Sequence, residues 1–282
     1  MKKHFRYSFP LALAFIAVLL FYSLSYLSNN KLKFYILDVG QGDAIFIETP
    51  SKNQILVDGG PDKSVLKELG KVMPFYDRSI DVVILTHPNL DHLAGLVEVL
   101  KKYEVKTYID AGDDYALSEY VELKNIIKER RINYIKGRRG MKIIADKEVG
   151  LLILMPEKLI ESKNPNDNSI VAKLTYGDID FLLMGDAEKN EELSLVLIGD
   201  NIESEVLKVG HHGSKTSSNP LFLEKVKPEL ALISVGKNSY GHPSKDILQN
   251  LAFSGASVFR TDVDLTILVE TDGKSLTSNI KK

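Results

Sequence analysis

Short apolar runs alternate along most of the chain with segments in which apolar residues recur every three or four positions. Buried strands are predicted by runs such as K-F-Y-I-L-D-V, I-D-V-V-I-L-T and D-I-D-F-L-L-M-G-D, which are rich in β-branched and aromatic residues. Amphipathic helices are predicted by segments such as S-V-L-K-E-L-G-K-V, L-A-G-L-V-E-V-L-K-K-Y and E-K-N-E-E-L-S-L-V-L. No low-complexity linker interrupts this alternation after Lys31. We therefore expect one α/β domain over residues 31–282, with two sheets that are each covered by helices in a four-layer αββα sandwich.

The first thirty residues have a different character. Lys2, Lys3 and Arg6 precede F-P-L-A-L-A-F-I-A-V-L-L-F-Y-S-L-S-Y-L, an uncharged run about as long as a helix needs to cross a bilayer. Positive charges before the run and none close behind it favour a cytoplasmic amino terminus and an extracytoplasmic domain. We expect residues 1–30 to form a single transmembrane helix that anchors the chain in the cell membrane. The alternatives are a cleaved signal peptide, which would make the protein secreted, and an internal core helix.

Charge and cysteine content limit the possible partners. The net charge is −2, and no acid balances the three basic residues before the apolar run, so the predicted domain is more acidic than the whole chain. A generally basic nucleic-acid-binding protein is therefore not expected. The exception is K-E-R-R-I-N-Y-I-K-G-R-R-G-M-K at positions 128–142, which would either steer a polyanion or form a solvated helix end and turn. Because the chain has no cysteine, disulfides and thiolate metal sites are excluded.

Five clusters of residues able to bind metal or transfer protons follow predicted strands. Because strand ends deliver side chains to a common edge of a sheet, we expect these clusters to meet in space. Apart from His4, every histidine of the chain lies in one of them. The clusters are Asp58 in V-D-G-G; His87, Asn89, Asp91 and His92 in T-H-P-N-L-D-H; Asp186 in L-L-M-G-D; His211 and His212 in K-V-G-H-H-G-S; and His242 in Y-G-H-P-S.

These residue types suit a catalytic metal site. Zinc binds imidazole nitrogen and carboxylate oxygen, and a catalytic site keeps one position for water, whose pKa the ion lowers towards neutrality. We expect one or two divalent ions, Zn²⁺ or Mn²⁺, with Asp186 as the candidate bridge between two. The predicted metal ligands are His87, Asn89, Asp91, His92, Asp186 and His211, and the predicted catalytic residues are Asp91, His212 and His242.

Several of these positions have a second interpretation. Asp58 would either cap the turn formed by its glycines or orient a ligand histidine. Asp91 would cap the following helix or bind metal, and the adjacent histidine favours metal binding. Of His211 and His212, one is expected to bind metal and the other to donate a proton or contact phosphate, and the choice between them is open. His242 is either a loop histidine or part of the site.

The ordered motifs resemble one family. In addition to the clusters above, the chain contains N-D-N-S-I-V, N-S-Y-G-H-P-S and F-R-T-D, with L-D-V-G-Q-G-D-A near the start. From about position 32 to 273 this series resembles the metallo-β-lactamase-like domain of ComEC-type competence proteins. The resemblance implies an αββα metallo-hydrolase fold and phosphoester substrates, including nucleic acid.

Two departures from the family pattern affect the expected activity. The family usually has H-x-D-x-D-H, whereas Asn89 occupies the middle position here, and a neutral amide binds a hard cation more weakly than a carboxylate does. A metal position formed by His87 and Asn89 is therefore expected to be weaker than the one formed by Asp91, His92, Asp186 and a histidine of the pair. The family also carries many membrane helices that form a DNA-uptake channel, and this chain has no further apolar run long enough to contribute one.

Three functional hypotheses follow. The first is a membrane-anchored, extracytoplasmic metal-dependent phosphodiesterase or nuclease, with single-stranded DNA as a candidate substrate. The second keeps this chemistry but assigns a cell-wall or lipid-derived phosphoester as the substrate. The third is a catalytically degenerate domain, weakened by Asn89, that binds DNA or a partner. A β-lactam substrate is not expected, because the superfamily fold does not define the substrate.

Overall fold

The computed structural model describes residues 10–20 and 31–280. Residues 31–280 contain two β-sheets that pack face to face. In spatial order, the first sheet contains β15 (Leu276–Ser278), β14 (Ile267–Thr271), β1 (Leu32–Ile36), β2 (Ile45–Glu48), β3 (Gln54–Val57), β4 (Ser79–Ile84), β5 (Glu104–Asp110) and β6 (Asn133–Lys136). The second contains β13 (Ser257–Arg260), β12 (Leu230–Ile233), β11 (Val206–Lys208), β10 (Ile179–Leu183), β9 (Val171–Tyr176), β8 (Val149–Met155) and β7 (Lys142–Ile144).

Helices cover the outer face of each sheet, which gives the four layers that the hydrophobic pattern predicted. The helices against the first sheet are α2 (Ser64–Val72), α3 (Leu90–Lys102) and α4 (Ser118–Glu129). Those against the second are α5 (Lys189–Ile198), α6 (Pro220–Val226) and α7 (Lys245–Phe253), and the short α8 (Thr261–Asp264) connects β13 to β14.

Three buried clusters correspond to the three interfaces between these layers. The central one joins inward-facing residues of both sheets, and the rings of Phe34 and Phe181 stack there with centroids 4.8 Å apart. The two outer ones join each sheet to its helices, as in the packing of Leu56 with Leu96 and of Leu207 with Phe222. Burial of apolar surface on both faces of each sheet explains why most of its strands read as nearly continuous apolar runs.

The direction of the strands determines where polar side chains meet. Strands β3 to β6 run parallel to one another in the first sheet, and β10 to β13 run parallel in the second. Their carboxyl ends therefore form one edge of the sandwich. The loops that follow β3, β4, β10, β11 and β12 carry all five of the clusters identified in the sequence.

The structure corrects three of the sequence-based boundaries. Helix α3 begins at Leu90 rather than after His92, so Asp91 and His92 lie in its first turn. The basic stretch at 128–142 is not only a helix end and turn, because it contains strand β6 and ends at the first residue of β7. Strand β15 has no counterpart in the prediction because L-T-S is short and mostly polar, and pairing with β14 forms it.

The amino-terminal prediction is only partly covered by the described residues. Helix α1 is described over residues 10–20, with Leu11, Phe15 and Val18 each at least 60% exposed. Within residues 10–20 and 31–280, no helix combines the length and apolar character required to cross a membrane. The rest of the predicted anchor, residues 1–9 and 21–30, lies outside the described ranges.

Candidate metal centre

Asp186 lies at the centre of the clustered side chains. Its carboxylate oxygens are 3.4 Å from Nε2 of His92, 3.6 Å from Nε2 of His212 and 3.7 Å from Nε2 of His87. Asp91 approaches from α3, with Oδ2 at 3.3 Å from Nε2 of His212. Four groups of potential ligand atoms result in the described part of the chain, and within each group all atoms lie within 4.8 Å of one another. One group comes from His87, His92 and Asp186 and another from Asp91, His92 and His212, and the other two include Asp43.

Asp58 contacts the site through His92. Its carboxylate accepts hydrogen bonds from the backbone N–H of Thr86 at 2.8 Å and from the Thr86 hydroxyl at 2.7 Å, and it lies 2.8 Å from Nδ1 of His92. A proton on Nδ1 donates to this carboxylate, which leaves Nε2 directed at Asp186. Of the two roles considered for Asp58, this geometry favours orientation of a histidine.

The two adjacent histidines are placed differently. His212 is buried, and its Nδ1 lies 2.9 Å from the carbonyl oxygen of Ser234, so its Nε2 faces Asp91 and Asp186. His211 is 26% exposed, and its Nδ1 lies 3.0 Å from Glu188 Oε1. His212 therefore lies among the potential ligand atoms, whereas His211, the predicted ligand, lies beside them and is more exposed.

An unusual backbone conformation separates these two rings. His211 and His212 both have left-handed backbone angles, with φ of 47° and 51°, and Gly213 follows with φ of 77°. Left-handed conformations cost non-glycine residues about 1–2 kcal/mol each, and such strain is concentrated at functional sites. A side chain at Gly213 would also collide with Pro243, so glycine is required at this position.

The buried histidines and aspartates of the cluster shift one another's pKa values. Burial alone would lower the pKa of both imidazoles, but Asp186 and neighbouring carboxylates raise the pKa of His212 to about 10 and the pKa of His92 well above its usual value. Burial alone would raise the pKa of Asp186, but His212 and His92 hold it well below the usual range. Burial and the charge on His92 lower the pKa of His87 to about 3. The carboxylates of the site therefore require nearby positive charge.

The residues present fit a divalent cation. Four buried atoms at the centre, Nε2 of His87, His92 and His212 and Oδ1 of Asp186, have no hydrogen-bond partner within the described part of the chain. Such unpaired polar atoms are costly in a protein interior. Imidazole nitrogens and carboxylate oxygens are the donor set of catalytic zinc sites, and a cation would also supply the positive charge that the carboxylates require.

Asn89 is held at the rim of this cluster. It lies at the position before α3, and its Nδ2 donates a hydrogen bond to Oδ1 of Asn166 at 3.0 Å. Because the amide nitrogen is engaged, the amide oxygen is the atom left for a cation. Asn166 belongs to the N-D-N-S motif, to which the sequence prediction gave no role in the site.

The centre opens into a pocket of about 390 Å³. Asp91, Asp186 and His212 contribute to its lining, and His211 and His242 lie at the more exposed part. The pocket lining comprises Gln41, Pro61, Asn89, Leu90, Asp91, Asp186, His211, His212, Tyr240 and His242.

A model of the metallo-beta-lactamase superfamily matches residues 37–237, which include nearly all of these side chains. The chain belongs to the metallo-β-lactamase superfamily. Its metal-dependent hydrolase fold accounts for the αββα layers, and the family implies a divalent metal at the clustered histidines and aspartates.

Relatives of this metallo-β-lactamase domain include competence proteins. The chain is 31% identical over 250 residues to ComE operon protein 3 of Bacillus subtilis (strain 168), covering 82% of this chain and 32% of that protein. It is 30% identical over 263 residues to Competence protein ComA of Neisseria gonorrhoeae, covering 90% of this chain and 34% of that protein. The resemblance to ComEC-type competence proteins is thus confirmed, and the chain spans about a third of the length of these curated relatives.

A solved structure shows the same fold at low sequence identity. Igni18, a novel metallo hydrolase from the hyperthermophilic archaeon Ignicoccus hospitalis KIN4/I, superposes with a TM-score of 0.57 at 15% identity. The match covers 84% of this chain and 98% of that structure.

The metallo-β-lactamase domain also contains a buried ion pair that the sequence analysis missed. Nζ of Lys208 lies 2.6 Å from Oδ2 of Asp43, and both side chains are at most 1% exposed. Oδ1 of Asp43 is 3.4 Å from Nδ1 of His212, so the pair adjoins the metal centre. A signal was present, because Lys208 is a lone charge in a strand that is otherwise apolar and needs a buried partner.

Three arginines of the basic stretch at 128–142 are engaged in internal contacts. Arg139 forms a bidentate ion pair with Asp200 at 2.5 and 2.6 Å. Arg138 donates to the carbonyl oxygens of Ala111 and Gly137, and Arg130 donates to those of the residues at positions 101 and 103. These contacts favour a structural role for the three arginines over the steering of a polyanion.

Proposed function

We propose that this metallo-β-lactamase domain is a metal-dependent phosphodiesterase that cleaves nucleic acid, with single-stranded DNA as its substrate. The observation that carries the proposal is the convergence of four unpartnered ligand atoms, two of which belong to Asp186 and His212 in the lining of an open pocket. Competence proteins among the relatives support a nucleic-acid substrate.

The proposed metal ligands are His87, His92, Asp186 and His212, with Asp91 and the amide oxygen of Asn89 on the pocket side. A divalent ion held there would polarise a phosphoryl oxygen and lower the pKa of a water molecule. Asp58 orients His92, and the Ser234 carbonyl orients His212, so that Nε2 of each ring faces the centre.

Hydrolysis requires that a water oxygen attacks phosphorus while the bond from phosphorus to the leaving oxygen breaks. The leaving oxygen must then receive a proton. His211 is suited to donate it, because it lines the pocket and its Nδ1 lies 3.0 Å from Oε1 of Glu188, which leaves Nε2 free to face a substrate. His242 is less suited, because burial and the charges of His211 and His212 lower its pKa.

The test uses the full-length chain purified without chelator. We expect one to two divalent ions per chain by mass spectrometry, and hydrolysis of bis-p-nitrophenyl phosphate and of single-stranded DNA with Zn²⁺ or Mn²⁺ that chelator abolishes. Turnover of the small diester without cleavage of DNA would favour a cell-wall or lipid-derived phosphoester. Absence of metal and of turnover with both ions would leave a binding domain.

Asn89→Asp probes the departure from the family pattern. Because a carboxylate binds a hard cation more strongly than an amide, we expect metal occupancy and turnover to rise by about 10-fold or more at limiting metal. The same titration with Asn166→Ala, which frees the Asn89 side chain, should lower occupancy. If Asn89→Asp leaves occupancy unchanged, this position is not a ligand.

We also propose that the amino-terminal segment anchors the chain in the cell membrane with the hydrolase domain outside the cytoplasm. The support is the run of exposed apolar side chains in α1 and the basic residues that precede it. The full-length chain should stay in the membrane fraction after alkaline carbonate extraction, and external protease should reach the domain in spheroplasts. Release by carbonate would contradict the anchor.

A further inference from the structure

An exposed aromatic ring stands at the mouth of the metal pocket. Tyr240 is 74% exposed and still contributes to the pocket lining. Its ring stacks on that of His242, with centroids 5.8 Å apart and planes inclined by 24°. One face of the tyrosine ring is therefore supported by His242, and most of the remaining ring surface is open to solvent.

The loop that carries Tyr240 is held by its own hydrogen bonds. Oδ1 of Asn238 accepts from the backbone N–H groups of Tyr240 and His242 at 3.1 and 3.0 Å. Nδ2 of Asn238 donates to the carbonyl oxygens of Gly236 and His242, both at 2.9 Å. The position of the ring is thus set by the backbone around Asn238, so the ring itself is left for another contact.

A chain of contacts connects this ring to the reacting centre. The His242 ring packs edge-on against His211, with centroids 5.6 Å apart. Nε2 of His211 lies 3.9 Å from Oδ2 of Asp186. A planar group stacked on Tyr240 would therefore lie close to a phosphodiester whose phosphorus is at the metal centre.

We propose that Tyr240, supported by His242, is a stacking platform for a nucleobase next to the cleaved phosphodiester. This inference rests on the proposed function. A flat, exposed aromatic face suits a nucleobase better than an acyl chain, and stacking tolerates any base because every base has a π-face. The platform would select nucleic acid over other phosphodiesters without reading its sequence.

Binding to the full-length chain tests the platform without any catalysis. The probe is a trinucleotide of deoxynucleotides with a central 2-aminopurine, added in chelator so that no cleavage occurs. Stacking on the ring should quench the 2-aminopurine fluorescence. In Tyr240→Ala the quenching should be lost, and Kd should rise between about fivefold and a hundredfold.

Two control variants and one control oligonucleotide make the test specific. Tyr240→Phe should bind like the unaltered chain because it keeps the ring, and Tyr76→Ala should have no effect because this tyrosine, 76% exposed, precedes β4 at the opposite end of the first sheet. Isothermal titration calorimetry, which needs no fluorophore, should show that a trinucleotide with a central abasic residue binds Tyr240→Ala and the unaltered chain equally.

Failure of the stacking platform and failure of the proposed function would give different results. With metal present, Tyr240→Ala should raise KM for single-stranded DNA, whereas loss of a metal ligand should lower kcat. If the protein cleaves DNA but Tyr240→Ala binds the probe as tightly as the unaltered chain does, the platform alone is overturned. Hydrolysis of only non-aromatic phosphodiesters, with no probe binding, would overturn both.

Discussion

Asp186→Asn is expected to abolish metal binding and the proposed phosphodiesterase activity. Asp186 is the only carboxylate within 4 Å of Nε2 of His87, His92 and His212 together, among the ion pairs of residues 31–280. Asparagine keeps its shape but not its charge. Substitution of a residue that merely orients a ligand already costs 10–100-fold, so loss of the central ligand should lower kcat/KM by about a thousandfold or more. Metal content by mass spectrometry and hydrolysis of bis-p-nitrophenyl phosphate measure the two effects.

Two further variants provide the comparison for the effect of Asp186→Asn. Asp58→Asn, which acts through His92, should cost about 10–100-fold. Asp178→Asn should have no effect, because this exposed residue lies before β10, at the opposite end of the strand that leads to Asp186. Circular dichroism should show all three variants folded. If Asp186→Asn keeps its metal and more than a tenth of the activity, Asp186 does not hold the ion.

Lys208→Met is expected to destabilise the domain by about 3–5 kcal/mol, because it leaves a buried carboxylate without its cation. Burial alone would raise the pKa of Asp43, but Lys208 and His212 hold it well below its usual range, so this carboxylate is charged in the folded protein. Urea unfolding of the full-length chain in chelator, followed by circular dichroism, measures the free energy without a contribution from bound metal.

The double variant Asp43→Asn, Lys208→Met supplies the control. It removes both charges, so most of the lost stability should return. Lys106→Met breaks a pair of the same length, 2.6 Å, with Asp81, but Lys106 is 72% exposed, and the unfolding free energy should hardly change. A small effect of Lys208→Met, similar to that of Lys106→Met, would show that the buried pair does not stabilise the domain.

The layer architecture was predictable because each element carries its own pattern. The continuous apolar run of β4 and the helical spacing in α2 depend on neighbours in the sequence, and both segments form as predicted. Strands β6, β7 and β15 were not predicted, because each has only three or four residues and includes polar or basic ones. They are formed by backbone pairing with a neighbouring strand, which local composition does not encode.

The sequence by itself determined which residues meet at the site, since His87, Asp186 and the histidine pair follow strands whose carboxyl ends share an edge. Only the tertiary structure decided how each of them is placed within the site. His211 and His212 are adjacent and chemically identical, and the left-handed backbone and the Ser234 carbonyl separate them into a pocket-mouth and a buried position. Asp43 and Lys208 are 165 positions apart and become partners only in the folded core. The sequence determines the chemistry of each side chain and the strand end that it follows. Burial and the pairing of charges depend on contacts between segments that are distant in the sequence.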